Sequence, residues 1–146
     1  LLQEVVEVTL AGDDEPVPVY DRPESQRVIT VGSAEEAAAA LAAVCRQIFE
    51  RAAAILHVAS VAAADDPEIA ALAEGGARAR HEDMRRAAAE LAGHGFLRDG
   101  RPVAEAADHL WALTSPDVYL SFVRDRGWTP ARYERWLRSA LALVIG

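Results

Sequence analysis

AADHLWALTSPDVYLSFVRDRGWTPARYERWLRSALALVIG, residues 106–146, is the stretch that decides the fold. Ser115 and Thr129 are of the types that cap helices, and each stands directly before a proline, Pro116 or Pro130, that fits the first helical position. The missing N–H of a proline costs nothing there, because the first N–H groups of a helix have no partner within it. The stretch therefore predicts two consecutive helices, which begin at Pro116 and Pro130.

The second of these helices carries its apolar residues on one face. Spacings of three and four residues place them along a single stripe, which consists of Tyr133, Trp136, Leu137, Ala140, Leu141 and Val144. Gly127 follows a charged run and is typical of the end of the preceding helix. We expect the two helices to form a hairpin whose apolar face is exposed and needs a partner surface.

The composition favours an all-α protein with one core. The chain has 146 residues, of which 51% are hydrophobic and only 6% aromatic, and alanine and leucine, which favour helices, dominate. At this length a single domain, residues 1–146, is the expectation. We predict a helical bundle of six to seven helices and no sheet; only residues 28–31 look strand-like.

Charge and cysteine content exclude several classes of protein. With 23 acidic against 15 basic residues and a net charge of −8, the chain is a poor nucleic-acid binder by itself. Cys45 is the only cysteine, so an intrachain disulfide is impossible and a zinc–thiolate site is not expected. No apolar stretch reaches the roughly 20 residues that span a bilayer and no signal peptide is recognised, so we expect a cytoplasmic location.

Cap signals delimit two long helices. Ser33 and Glu36 form a capping box at the start of a helix that continues to about residue 64. This helix becomes apolar on nearly all sides after residue 52, as a helix buried in the middle of a bundle would. Asp66 before Pro67 caps the next helix, which continues to about residue 94 and could be split by two glycines at residues 75–76.

The remaining segments are shorter. A first helix has apolar residues at helical spacing, namely Leu1, Leu2, Val5, Val6 and Leu10. It should end near Gly12, and residues 12–25, with three prolines and five acids, form a loop. Another helix is predicted over residues 103–114. Because no cap precedes the first helix, we expect that a segment upstream has been left out.

No residue pattern indicates catalysis, a metal or a cofactor. His81 and Glu82 match the first half of a zinc-protease helix, but Arg85 stands where the second histidine ligand should be. The other histidines lack the spacing that places two metal ligands on one helix face, and the serines lack the context of a catalytic nucleophile. We therefore expect a protein that is not an enzyme.

Arg80 and His57 fit least well into a purely structural bundle. Arg80 shares a helix face with apolar residues, so it either forms a buried ion pair with a carboxylate such as Asp108 or contacts an anionic or polar ligand. His57, among apolar neighbours, is either a hydrogen-bonded core histidine or a ligand-binding one. Trp111, like the other aromatic residues of this region, is a packing residue that can also line a pocket.

Five segments together resemble the C-terminal regulatory domain of TetR-family transcriptional regulators. They are GDDEPVP at 12–18, DRP at 21–23, AAADDPEIAAL at 62–72, LWALTSPDVY at 110–119 and RGWTPARYERWL at 126–137. The resemblance covers nearly the whole chain, and its C-terminal segments are the most specific.

The resemblance implies an all-helical body that binds a small-molecule effector in an internal cavity. The pocket residues that we expect are Phe49, His57, Arg80, Met84 and Trp111. It also implies a homodimer formed through the last two helices, with interface residues Tyr119, Phe122, Tyr133, Trp136, Leu137, Ala140, Leu141 and Val144. DNA would be bound only through an N-terminal helix-turn-helix domain that residues 1–146 do not contain. The alternative is a helical dimerisation or protein-interaction domain without ligand sensing; an enzyme would require His57, Arg80 and Asp108 around one cavity.

Overall fold

The computed structural model describes residues 2–146, apart from the side chain of Leu2, and they form an all-α bundle. The helices are α1 Leu2–Ala11, α2 Pro23–Thr30, α3 Ala34–Ala62, α4 Pro67–Gly93, α5 Val103–Leu113, α6 Pro116–Leu120 and α7 Pro130–Leu141. A π-helical turn, Ser121–Asp125, continues α6. The described residues contain no strand, only an isolated bridge between Leu97 and Ile145. The predicted all-α bundle is confirmed, while Leu1, predicted to begin the first helix, lies outside the described residues.

The caps that the sequence predicts are formed. At the start of α3 the Ser33 hydroxyl accepts a hydrogen bond from the Glu36 N–H at 3.2 Å. The Glu36 carboxylate accepts from the N–H of Gly32 at 3.1 Å, one residue before the position that the standard capping box uses. Side-chain caps also begin α4, α6 and α7, where the capping residues are Asp66, Ser115 and Thr129.

Two local expectations were wrong. Residues 28–31, which look strand-like, lie largely in α2, because Pro23 starts a helix there and Val28 turns into the core. The glycines at 75–76 do not split α4, which continues through them without a break. Glycine lowers helix propensity by about 1 kcal/mol per residue, and a helix of this length tolerates that cost because much of its stability comes from packing.

The core surrounds the first two thirds of α3. Helices α1, α2, α4, α6 and α7 all pack against α3, and α5 packs mainly against α4. One cluster of buried residues includes members of every helix from α2 to α7. Its largest fully buried side chains are Tyr133, Leu91, Leu110, Leu137, Leu141, Ile145 and Val144.

The apolar stripe of α7 is covered by the chain itself. Helix α7 lies against α3, and most of the predicted interface residues are buried in the chain's own core, namely Tyr119, Tyr133, Leu137, Leu141 and Val144. The other three, Phe122, Trp136 and Ala140, are half-buried. The expectation of an exposed α7 stripe was therefore wrong, because an amphipathic pattern shows only that a face is buried, not which surface buries it.

Candidate functional site

Three of the five predicted pocket residues come together where α4 meets the end of α5. Arg80 and Met84, one turn apart on α4, both contact Thr114, the residue that follows α5. Trp111, on the last turn of α5, lies under the Arg80 guanidinium, whose carbon is 4.7 Å from the ring centroid. We call these four residues the Arg80 site.

Arg80 caps the C-terminal end of α5 through one nitrogen. Its Nη1 donates to the Trp111 carbonyl oxygen at 2.7 Å and to the carbonyl and hydroxyl oxygens of Thr114 at 3.4 and 3.3 Å. The last carbonyls of a helix have no partner within it and carry partial negative charge, so a cation is favoured there. Nε and Nη2 of Arg80 make no hydrogen bond to the described residues.

The charge of Arg80 has no carboxylate partner among the described residues. Four arginines are at least half-buried, and three of them, Arg22, Arg46 and Arg101, form ion pairs with N···O distances of 2.7 to 3.2 Å. Arg80 forms none. Its burial lowers its pKa below the ordinary value, because the charged form loses hydration. The site thus holds a cation whose charge only the end of α5 offsets.

The expected ion pair between Arg80 and Asp108 is not formed. Asp108 instead lies 2.8 Å from Nε2 of His81, which is on the same helix as Arg80. The His81 ring meets the Trp111 ring edge-on, with centroids 6.2 Å apart. The charged reading of His81 as part of a solvent-exposed face is consistent with this contact, in which both side chains retain substantial exposure.

Phe49 and His57 do not contact the Arg80 site. Phe49 is buried in the core, where its ring lies 5.6 Å from that of Tyr119. His57 is not a core histidine, since its side chain is 38% exposed and its Nδ1 lies 3.9 Å from a carboxylate oxygen of Asp117. Asp117 is near enough to Arg80 to oppose the fall in its pKa. The predicted set of five residues is thus divided between a buried position, a surface position and one shared site.

A separate groove lies between α2 and α4. It has a volume of about 550 Å³ and is lined by Tyr20, Asp21, Gln26, Ile29, Arg85, Arg86, Ala89 and Glu90. The Arg86 guanidinium lies 3.9 Å above the Tyr20 ring and 3.6 Å from Asp21. None of the predicted pocket residues lines this groove, which is wide open to solvent.

The last third of α3 projects beyond the core and exposes apolar residues. Val58 and Val61 are 64% and 61% exposed, and residues 52–64 contain no acidic residue and no arginine. The expectation that this part of α3 is buried centrally was therefore wrong for its outer turns. A helix that is apolar on all sides is normally covered, so we call the exposed side around Val58 and Val61 the α3 face.

Comparisons with protein-family models, with curated proteins and with solved structures found no match to this chain. The resemblance to TetR-family regulators therefore stays a prediction. Within residues 2–146 no helix is long and apolar enough to cross a membrane. The described side chains also include no group of three or more histidine, cysteine or acidic residues placed to hold a metal ion.

Proposed function

We propose that this chain is the effector-binding and dimerising body of a TetR-like transcriptional regulator. In this proposal DNA is bound by a helix-turn-helix domain outside residues 1–146, as the resemblance of the sequence implies. An effector that binds one arrangement of the body more tightly than another shifts the population between them. That shift would change the spacing of two DNA-binding domains in a dimer, and thereby operator affinity.

The Arg80 site is the observation that carries the ligand-binding part of this proposal. A half-buried guanidinium without a carboxylate partner is costly unless another group offsets its charge. The Trp111 side chain beside it is 36% exposed, so the site is open to a molecule from solvent. A small molecule that bound at the junction of α4 and α5 would contact two helices at once and so could bias their arrangement.

The α3 face supports the dimerising part, with a second copy of this chain as the partner. In a two-fold interface each residue near the axis meets its own counterpart, so charges there repel one another. Residues 52–64 carry no formal charge apart from any on His57, which suits contact with an identical surface. This assignment replaces the stripe of α7, which the chain covers itself.

Sedimentation velocity over a range of concentrations tests the dimer. We expect the wild-type chain to form dimers, and a variant with Val58→Glu and Val61→Glu to be monomeric, because four carboxylates would face one another across the interface. Leu143→Glu is the matched control, since Leu143 is 68% exposed on another part of the surface. A monomeric wild type, or equal dimerisation of all three proteins, would contradict the proposal.

A thermal-shift screen of small molecules tests the sensing. A ligand that binds the folded chain at a hundred times its Kd adds about 2.7 kcal/mol to the free energy of unfolding. For a chain of this size that corresponds to a rise in Tm of several degrees. The regulator proposal further requires that the ligand change the dimer's sedimentation or association constant; a ligand without any such effect would count against it.

The second candidate is a helical dimerisation or protein-interaction domain without ligand sensing. The α3 face favours it, because that surface needs a partner whether or not a ligand binds. The packing around Phe49, a predicted pocket residue that lies in the core, also agrees with it. The two candidates differ in the screen: the interaction domain forms the dimer but is stabilised by no small molecule.

A further inference from the structure

We propose that the Arg80 site binds the carboxylate of a small monoanionic organic acid, through Nε and Nη2 of Arg80. The inference rests on the proposed function and specifies the class of effector. Nη1 is already used by the carbonyl and hydroxyl oxygens at the end of α5. Nε and Nη2 have no acceptor among residues 2–146, and these two groups form the side of a guanidinium that can hold both oxygens of a carboxylate.

The comparison among arginines shows what the site lacks. Arg22 is buried, and its guanidinium holds both oxygens of Asp13 at 2.7 and 2.8 Å. Arg46 is half-buried and pairs with Glu50 and Glu134. The same chain thus gives its other buried guanidinium groups a carboxylate. At Arg80 a carboxylate from solution would supply the missing partner.

The surroundings of Arg80 favour a single negative charge over two. No second arginine or histidine bonds to the Arg80 guanidinium, and the nearest charged group that affects it is the carboxylate of Asp117. The other titratable neighbour is Cys45, whose thiol stays neutral because burial raises its pKa to about 12. With one cation and a nearby carboxylate, a dianion would meet more repulsion than a monoanion.

The flanks of the site favour an acid with an apolar body. The ring of Trp111 lies beside the guanidinium and is partly exposed. Met84 lies on the other side of Thr114, with its sulfur 3.8 Å from the Thr114 hydroxyl oxygen. Polarizable and aromatic groups of this kind contact rings and hydrocarbon chains well. The ligand is therefore an organic acid, not an inorganic anion.

Titration of the wild-type chain with benzoate and with benzamide tests the class of ligand. The two probes have nearly the same shape and differ in charge. At fixed ionic strength, we expect benzoate to change the tryptophan fluorescence and to bind at least tenfold more tightly than benzamide. Sulfate should compete with benzoate no better than chloride does. Equal affinity for the two probes, no binding of benzoate, or tighter binding of sulfate would overturn the proposal.

Variants locate the binding. Arg80→Gln should weaken benzoate binding at least tenfold, and Arg80→Lys, which keeps the charge but loses the paired N–H groups, should weaken it less. Arg78→Gln is the matched control, since Arg78 lies on the same helix with its side chain 76% exposed. An equal loss in Arg78→Gln and Arg80→Gln would overturn the assignment. If Arg80→Gln does not fold, the wild-type comparison of benzoate with benzamide still decides.

The two proposals fail in different ways. A neutral compound that stabilises the chain, together with no binding of benzoate, would keep ligand sensing and overturn the organic-acid site. Benzoate that binds through Arg80 but leaves the association constant of the dimer unchanged would support the site and contradict the regulator.

Discussion

Replacing Tyr133 by phenylalanine should stabilise this protein. Tyr133 is fully buried, and its hydroxyl has no hydrogen-bond partner. Its ring packs edge-on against that of Tyr119, with centroids 4.8 Å apart. The substitution removes only the hydroxyl, so the aromatic contact is kept. Burial also raises the pKa of Tyr133 well above its ordinary value, as expected for a hydroxyl in apolar surroundings.

The expected size of the effect follows from the hydroxyl's loss of water. In the unfolded chain the hydroxyl bonds to solvent, and a buried polar group without a partner costs about 1–3 kcal/mol. The space left by the oxygen returns part of that gain as lost packing. We therefore expect Tyr133→Phe to raise the free energy of unfolding by about 1 kcal/mol. With an unfolding entropy of about 2.1 cal/mol/K per residue, this corresponds to a rise in Tm of about 3 °C.

Urea unfolding followed by circular dichroism, together with calorimetry, measures the change. Tyr119→Phe is the control, because Tyr119 packs in the same aromatic cluster but its hydroxyl is not among the buried atoms that lack a partner. Its stability should change little. Destabilisation by Tyr133→Phe would refute the reasoning, since it would show that the hydroxyl makes a favourable interaction in the folded state.

Three further predictions concern a thiol, a glycine and a cap. The Cys45 thiol is buried and its pKa is raised from 9.0 to about 12; because the folded state keeps the proton, stability should fall as the pH rises from about 9 to 12. Cys45→Ala should reduce that slope in urea unfolding at several pH values, and equal slopes would contradict the pKa shift. Gly76→Ala should stabilise α4 by up to about 1 kcal/mol, because an added Cβ would meet nothing within 4 Å, whereas Gly127→Ala should destabilise, because Gly127 has a φ of +69°; calorimetry of both variants checks the pair. Ser33→Ala should cost about 1 kcal/mol in unfolding experiments, since it removes the cap of α3, and no change would show that Glu36 suffices.

Much of the secondary structure was predictable because its signals are local. Ser33, Asp66, Ser115 and Thr129 each cap the helix predicted to follow them. A cap is a hydrogen bond between residues two or three positions apart, so it depends little on the rest of the fold. The errors arose where packing competes with local preference, as for residues 28–31.

The candidate site was predictable only in part. Arg80 stood out in the sequence as a cation on an apolar helix face, and the structure does place it beside Met84 and Trp111. Its hydrogen bonds to the end of α5, which is more than 30 residues away in the sequence, have no signal in the sequence. Asp108, the expected partner, pairs with His81 instead, since which of two neighbouring side chains a carboxylate meets depends on the crossing of α4 and α5.

The sequence by itself determined the helices, their caps and the face of each helix that is buried, because these depend on hydrogen bonds and side-chain spacing along one segment. Only the tertiary structure decided what covers each face. The α7 stripe and the outer turns of α3 are both apolar, yet α7 is buried against α3 while Val58 and Val61 are exposed. The physical reason is that the hydrophobic effect is not directional: it rewards burial of an apolar face without specifying the surface that buries it.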